Sequence, residues 1–271
     1  MSADLLGAPA RRWRELGTGG IRVVLVDVDG VITPGEGQAA DLAVLQQLTQ
    51  LNERAITDAC VPAVTLCTGR PAPYVEVMAQ MTGAFLPCIF EHGCGLFFPT
   101  TFRYIFHPLL GEAYSARLAQ LRAALTDSLL RPGRAFVQPG KEASMTLYPL
   151  GVTSLDELLD AAHDAIRDMP GFSVARNIAG VELRPTGLDK GKGLRWMAQL
   201  LELPLSAFSG VGDSDPDISF LELVGFSAAP ANATPAVRAG VSYVSPARYG
   251  DGLLDILTRI EGRNRSTRGN R

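Results

Sequence analysis

The chain has 271 residues, 46% hydrophobic and 20% charged, which suits a substantial core in one or two domains and excludes global disorder. A formal net charge of −3 gives no electrostatic basis for nucleic acid as a partner, and no apolar run approaches the roughly 18 residues of a membrane helix. Cys60, Cys67, Cys88 and Cys94 lack zinc spacing, and no basic-then-apolar leader opens the chain, so a cytoplasmic enzyme with reduced thiols is expected, as monomer or homodimer. Residues around Arg11, Arg12 and Arg14 read as a short ragged extension.

The first clear strand is 21–26, almost wholly apolar, as in a parallel sheet buried on both faces. It runs into the acidic turn Asp27-Val28-Asp29-Gly30. Leu42, Leu45, Leu48 and Leu51 then repeat at helical steps, and a strand over 63–67 ends at Thr68-Gly69-Arg70. A helix over 73–81 completes a strand–helix alternation typical of a doubly wound sheet. From about Phe90 the texture changes. Aromatic strands at 96–98 and 102–106 look paired and antiparallel, a helix covers 114–130, and strands follow at 144–148, 172–176 and 180–183. Ser154 and Glu157 form a capping box for a helix between them. After Pro185 the parallel pattern resumes, with a helix from Lys190, a strand ending at Asp213, and last strands at 225–229 and 242–244.

The expected fold is therefore α/β, a doubly wound mainly parallel sheet with a Rossmann-like core and an inserted α+β cap domain. Residues 1–88 and 186–261 would form the two parts of the core, 89–185 the cap, and 262–271 a frayed, solvated tail.

Ligands of open parallel sheets bind beyond the carboxyl ends of the strands. Three such ends here carry Asp27 with Asp29, Thr68, and Asp213 with Asp217, while Lys190 opens the helix feeding the last. Alone, an Asp-x-Asp after a strand reads as a solvated turn. The order and matching positions of the whole set point instead to phosphoryl transfer. Asp27 can attack phosphorus and Asp29 can serve as acid and base. Clustered acids facing a phosphate require a hard cation, best magnesium, with Asp213 and Asp217 as further anchors. Thr68 and the backbone after it can bind phosphate, and Lys190 can offset transition-state charge.

These segments resemble the four motifs of the haloacid dehalogenase-like phosphatase superfamily. Asp27-Val28-Asp29-Gly30-Val31 is similar to the first, residues 65–70 to the second, Lys190-Gly191 to the third and residues 212–217 to the fourth. The insertion lies where the superfamily's type IIB caps sit, and the likeness covers about residues 21–257. The resemblance implies a magnesium-dependent phosphoric monoester hydrolase acting on a small phosphorylated metabolite: a sugar phosphate, phosphoglycolate or a glycosyl-phosphoglycerate. It implies Asp27 as nucleophile and Asp29 as acid/base. Magnesium would sit on the Asp27 carboxylate, the Asp29 carbonyl and Asp213, with Asp217 in close support. Thr68, Gly69 and Lys190 would bind phosphate.

Three positions depart from the pattern: Val31 stands where Thr is usual, Pro216 where Asn is usual and His92 where Asn is frequent. Arg70, His92, Lys141, Glu142, Ser144, Arg184 and Asn232 are candidate substrate contacts. A phosphomutase using the same aspartyl phosphate is the alternative enzyme class, and a non-catalytic ligand-binding relative the third reading.

Overall fold

The computed structural model describes residues 5–15, 20–177 and 179–269. The chain opens with α1 (Ala8–Arg14), β1 (Val23–Val26), α2 (Leu42–Ala55), β2 (Ala63–Leu66) and α3 (Ala72–Thr82). Next come β3 (Cys88–Phe90), β4 (Gly95–Phe98), β5 (Arg103–Phe106), α4 (Glu112–Leu125), β6 (Ala135–Val137), β7 (Met145–Pro149), α5 (Leu155–Ile166), β8 (Phe172–Arg176) and β9 (Val181–Pro185). It continues through α6 (Lys190–Leu201), β10 (Phe208–Val211), α7 (Ile218–Leu221), β11 (Phe226–Ala229), α8 (Pro235–Gly240), β12 (Tyr243–Val244) and α9 (Tyr249–Gly269).

Apolar strands buried on both faces make a parallel sheet in the order β12–β11–β10–β1–β2. Val26 pairs with Val211 on one side and Leu66 on the other. That register sends Asp27, Thr68 and Asp213 off the sheet along one edge. The outer strand β2 is closed by Asn52 of α2, whose buried amide donates to Val64 O at 3.1 Å and accepts from Val64 N at 2.8 Å. Asn52 thus satisfies strand groups that no neighbouring strand takes up.

The antiparallel sheet β3–β4–β5 belongs with this core rather than with the cap expected from residue 89. Phe90 and Phe97 pack with Val24 and Val26, and Ile89, Leu96 and Phe98 pack with Val23 and Leu25. Its aromatic residues fill the parallel sheet's own core, so the change of texture near Phe90 does not mark a domain boundary.

A separate antiparallel sheet, β6–β7–β9–β8, carries α4 and α5 on one face. Met145, Leu147, Val181 and Leu183 point into that apolar layer. Period-two alternation leaves Phe136, Thr146, Tyr148, Glu182 and Arg184 on the opposite face, where Phe136 lies across from Tyr148 and Thr146 from Glu182. The Ser154–Glu157 capping box starts α5 with both reciprocal bonds made.

Both termini differ from expectation. The N-terminal segment forms α1, which buries Ala10 and Trp13, and the Arg22 guanidinium lies 4.2 Å from the Trp13 ring. The expected tail is instead the end of α9. Leu253, Ile256, Leu257 and Ile260 bury one helical stripe, and the helix runs on to Gly269. Asn264 explains why it persists: its side chain accepts from Ile21 N at 2.9 Å and donates to Ile21 O at 2.7 Å and Cys60 O at 3.1 Å. Residues 270 and 271 lie outside the described residues. No described helix is long and apolar enough to cross a membrane.

Candidate active site

Asp27 continues β1 by donating its N–H to Val211 O at 2.9 Å. Its carboxylate is 5% exposed and lies 2.9 Å from Lys190 Nζ. Lys190 heads α6, started by Asp189, whose carboxylate accepts from Lys192 N. The ammonium also donates to Asp217 Oδ1 at 2.5 Å. Burial alone would lower the Lys190 pKa, but Asp217 and Asp27 outweigh it and keep the group protonated.

Asp217 is fully buried and committed. Its Oδ2 accepts from Asp213 N at 2.9 Å, Ser214 N at 3.0 Å and Ser214 Oγ at 3.2 Å. Pro216 fits this tight turn because it occupies a first-turn position that needs no N–H donor. Val31 is wholly buried in the core under the β1 turn. Neither departure disturbs the acids.

Asp213 differs from Asp217 in one respect. Its Oδ1 is buried with no hydrogen-bond partner. One oxygen each from Asp27, Asp213 and Asp217 lie within 4.8 Å of one another, so three carboxylates face one ammonium. Burial, then Asp217, pushes Asp27 up to about 8 and Asp213 to about 7. A buried carboxylate oxygen without a partner beside a surplus of like charge fits a hard cation with oxygen ligands. Gly30 admits this arrangement: its φ is 86° and a Cβ there would overlap the Asp213 carboxylate.

Thr68 follows β2. It is buried, donates its backbone N–H to Ile89 O, and its Oγ1 accepts from Arg70 N at 3.2 Å, leaving the hydroxyl proton for a ligand. Gly69 cannot carry a side chain, since a Cβ would overlap the His92 imidazole. Arg70 grips Asp29 with both prongs, Nε to Oδ2 at 2.7 Å and Nη2 to Oδ1 at 2.8 Å. Such a bidentate pair fixes the carboxylate's orientation as well as its position.

Cap and core meet at Glu91-His92-Gly93. Glu91 and His92 adopt φ of 45° and 55°, strained for side chains with a Cβ, and each such residue costs about 1–2 kcal/mol. Backbone bonds from Glu91 N to Arg70 O and His92 N to Thr68 O hold the turn. Glu91 then docks the cap, accepting from Glu142 N at 2.9 Å, Ala143 N at 3.1 Å and Ser144 Oγ at 2.6 Å. Ser144 is thereby consumed, and the Glu142 carboxylate accepts from Tyr104 OH at 3.2 Å instead of facing the acids. Asn232 is also spent on backbone, donating to Gly30 O and accepting from Tyr249 N, both at 2.8 Å.

His92 and Lys141 converge on Glu182, with Nε2 at 2.9 Å and Nζ at 2.5 Å. Arg184 stands 3.9 Å from the same carboxylate. Burial would raise Glu182, but His92 and Lys141 hold it well below the usual carboxylate range. Burial lowers the His92 pKa more than Glu182 raises it. Sequence reasoning did not single out Glu182, Glu91, Glu36 or Tyr148. The alternation Val181-Glu182-Leu183-Arg184 was a signal that Glu182 faces away from the cap's apolar layer.

A family model described as haloacid dehalogenase-like hydrolase matches residues 154–257. A phosphoglycolate phosphatase of Pyrobaculum aerophilum is 30% identical over 241 residues, covering 88% of this chain and 95% of that protein. The chain belongs to the haloacid dehalogenase-like hydrolases. Within that superfamily it is a type IIB-capped phosphoric monoester hydrolase. A phosphoglycolate phosphatase of Methanosarcina acetivorans is 25% identical over 254 residues, covering 89% of this chain and 96% of that one. In fold, the hydrolase is similar to a Thermoplasma acidophilum protein, with TM-score 0.69, 20% identity, and coverage of 90% of this chain and 99% of the other. The sucrose-phosphatase of Synechocystis, solved with sucrose and phosphate, matches with TM-score 0.63 at 16% identity, covering 90% of this chain and 99% of that one.

Proposed function

We propose that this hydrolase is a magnesium-dependent phosphatase that cleaves a small phosphorylated carboxylate of the phosphoglycolate type through an aspartyl phosphate on Asp27. The observation that carries the reading is the buried Asp27 carboxylate at the end of β1, 2.9 Å from Lys190 and beside the unpartnered Asp213 Oδ1. Asp27 and Asp213, with the Asp29 carbonyl, would hold the cation, which when bound supplies positive charge against the phosphate. Asp217, both oxygens occupied, supports by fixing Lys190 and the loop after β10.

In the first step an Asp27 oxygen attacks phosphorus, the ester P–O bond breaks, and Asp29 gives its proton to the leaving alkoxide. In the second, water attacks the phosphorus of the acyl phosphate, Asp29 takes the water's proton, and Asp27 leaves as carboxylate. Thr68 and the N–H groups after it orient the phosphoryl oxygens, and Lys190 opposes their growing charge. The substrate class is supported by the names of the relatives and by Arg184, a partly exposed cation on the cap face turned away from α4 and α5.

Purified protein with magnesium should release inorganic phosphate from phosphoglycolate faster than from sugar phosphates. Asp27→Asn should cut that rate by at least about 10³-fold with the fold intact. Isomerisation of a sugar phosphate without phosphate release would replace the hydrolase reading with a mutase.

A further inference from the structure

The tip of the loop between β1 and α2, from Pro34 to Ala40, is held by one backbone hydrogen bond of its own, Gln38 N to Gly35 O at 3.2 Å. Gly35 and Gly37 have φ of 144° and 73°, and a Cβ at either would meet nothing. Between them stands Glu36, whose carboxylate nonetheless has two partners from distant parts of the chain. Arg70 Nη1 lies 3.3 Å from its Oε1, and the hydroxyl of Tyr148 lies 3.0 Å from each oxygen. Tyr148 belongs to β7 of the cap, and its ring stacks on Phe136 of β6 at 5.0 Å.

Arg70 is therefore held by three groups. Its Nε and Nη2 grip Asp29, its Nη1 faces Glu36, and its guanidinium lies 4.8 Å from the Tyr74 ring. The planar fork cannot turn towards one carboxylate without leaving the other. Glu36 thus sets the angle from which Arg70 presents Asp29, and Tyr148 sets where Glu36 can be. The cap reaches the Asp29 side chain through this path, Tyr148–Glu36–Arg70–Asp29, without touching it.

We propose that Glu36 and Tyr148 are positioning residues that aim the Asp29 carboxyl at the leaving-group oxygen when the cap is in place. The inference rests on Asp29 as the acid of the proposed mechanism. Its signature is dependence on the leaving group. An alkyl ester needs a proton delivered as its P–O bond breaks, whereas a nitrophenolate leaves without one. The ratio kcat/KM reports this first, phosphoryl-transfer step for both.

The test compares an alkyl phosphate such as phosphoglycolate with p-nitrophenyl phosphate, using wild type, Glu36→Gln, Tyr148→Phe and the double variant. Glu36→Gln should lower kcat/KM for the alkyl ester about 10- to 30-fold, carried by kcat, and for the aryl ester less than about 3-fold. Tyr148→Phe should act in the same sense at about 3- to 10-fold, and the double variant should match Glu36→Gln alone. Equal losses on both esters, or additive losses in the double variant, would overturn the inference and leave the phosphatase reading intact. A wild type inactive on both esters would end both.

Discussion

Two buried clusters of charge lie within this protein, and they are built on opposite terms. At the sheet edge, Asp27, Asp213 and Asp217 face Lys190 alone, and an Asp213 oxygen is left without a partner. Across the cap boundary, Glu182 is matched by Lys141 and His92, and Thr146 completes the set. The first cluster is unbalanced, and the Asp27 and Asp213 pKa values rise. The second is balanced, so its carboxylate stays ionised. Imbalance fits a place where a cation and a phosphate would complete the charge, and balance fits a joint between cap and core.

Removing one charge from each cluster, the ammonium from the first and the carboxylate from the second, breaks the comparison most strongly. Lys190→Met should cut phosphate release by about 10²- to 10³-fold, because the ammonium lies 2.9 Å from Asp27, the proposed nucleophile. Glu182→Gln should act on stability instead, costing about 3 kcal/mol by leaving Lys141 buried without its carboxylate. Thermal melts and kinetics on both variants check the division, and an activity loss in Glu182→Gln as large as that of Lys190→Met would erase it.

The pH dependence sharpens the same contrast. With Asp27 raised to about 8 and Asp213 to about 7, these two carboxyls hold more protons in the folded metal-free protein than in the unfolded chain between about pH 4 and about pH 8. Their contribution to stability therefore falls as pH rises through that window. A divalent cation binds the deprotonated carboxylates, so magnesium should raise the melting temperature more at about pH 8 than at about pH 5. An equal increment at both would mean that the acids do not hold the ion. The smallest effect belongs to Ser144→Ala, which removes the 2.6 Å bond to Glu91. It should cost about 1 kcal/mol in stability and leave KM within about twofold.

The grouping of the candidate site along one sheet edge was legible in the sequence because strand ends and polar residues coincide: Asp27, Thr68 and Asp213 each follow an apolar run, and parallel register does the rest. The helix beginning at Lys190 was equally readable. What escaped notice depends on partners far along the chain. Asn264 looks like part of a polar tail until Ile21 and Cys60 are beside it. Ser144 and Glu142 look like substrate contacts until Glu91 and Tyr104 take them. The aromatic run from Phe90 to Phe106 gave the right strands and the wrong domain, since side-chain pattern reports burial and not which core does the burying.

As the chain leaves the ribosome, β1 meets β2 early but must wait for β10 until the whole cap has been made. The cap's four strands pair among themselves within residues 135–185 and need nothing that comes later. Local contacts form before distant ones, so the cap assembles while β1 still has an open edge. Strand β1 then acquires β10, and with it Asp213 and Asp217, only after the cap has been made. A chain made only as far as the cap carries Asp27 without Asp213 and Asp217, the acids that would complete the proposed site.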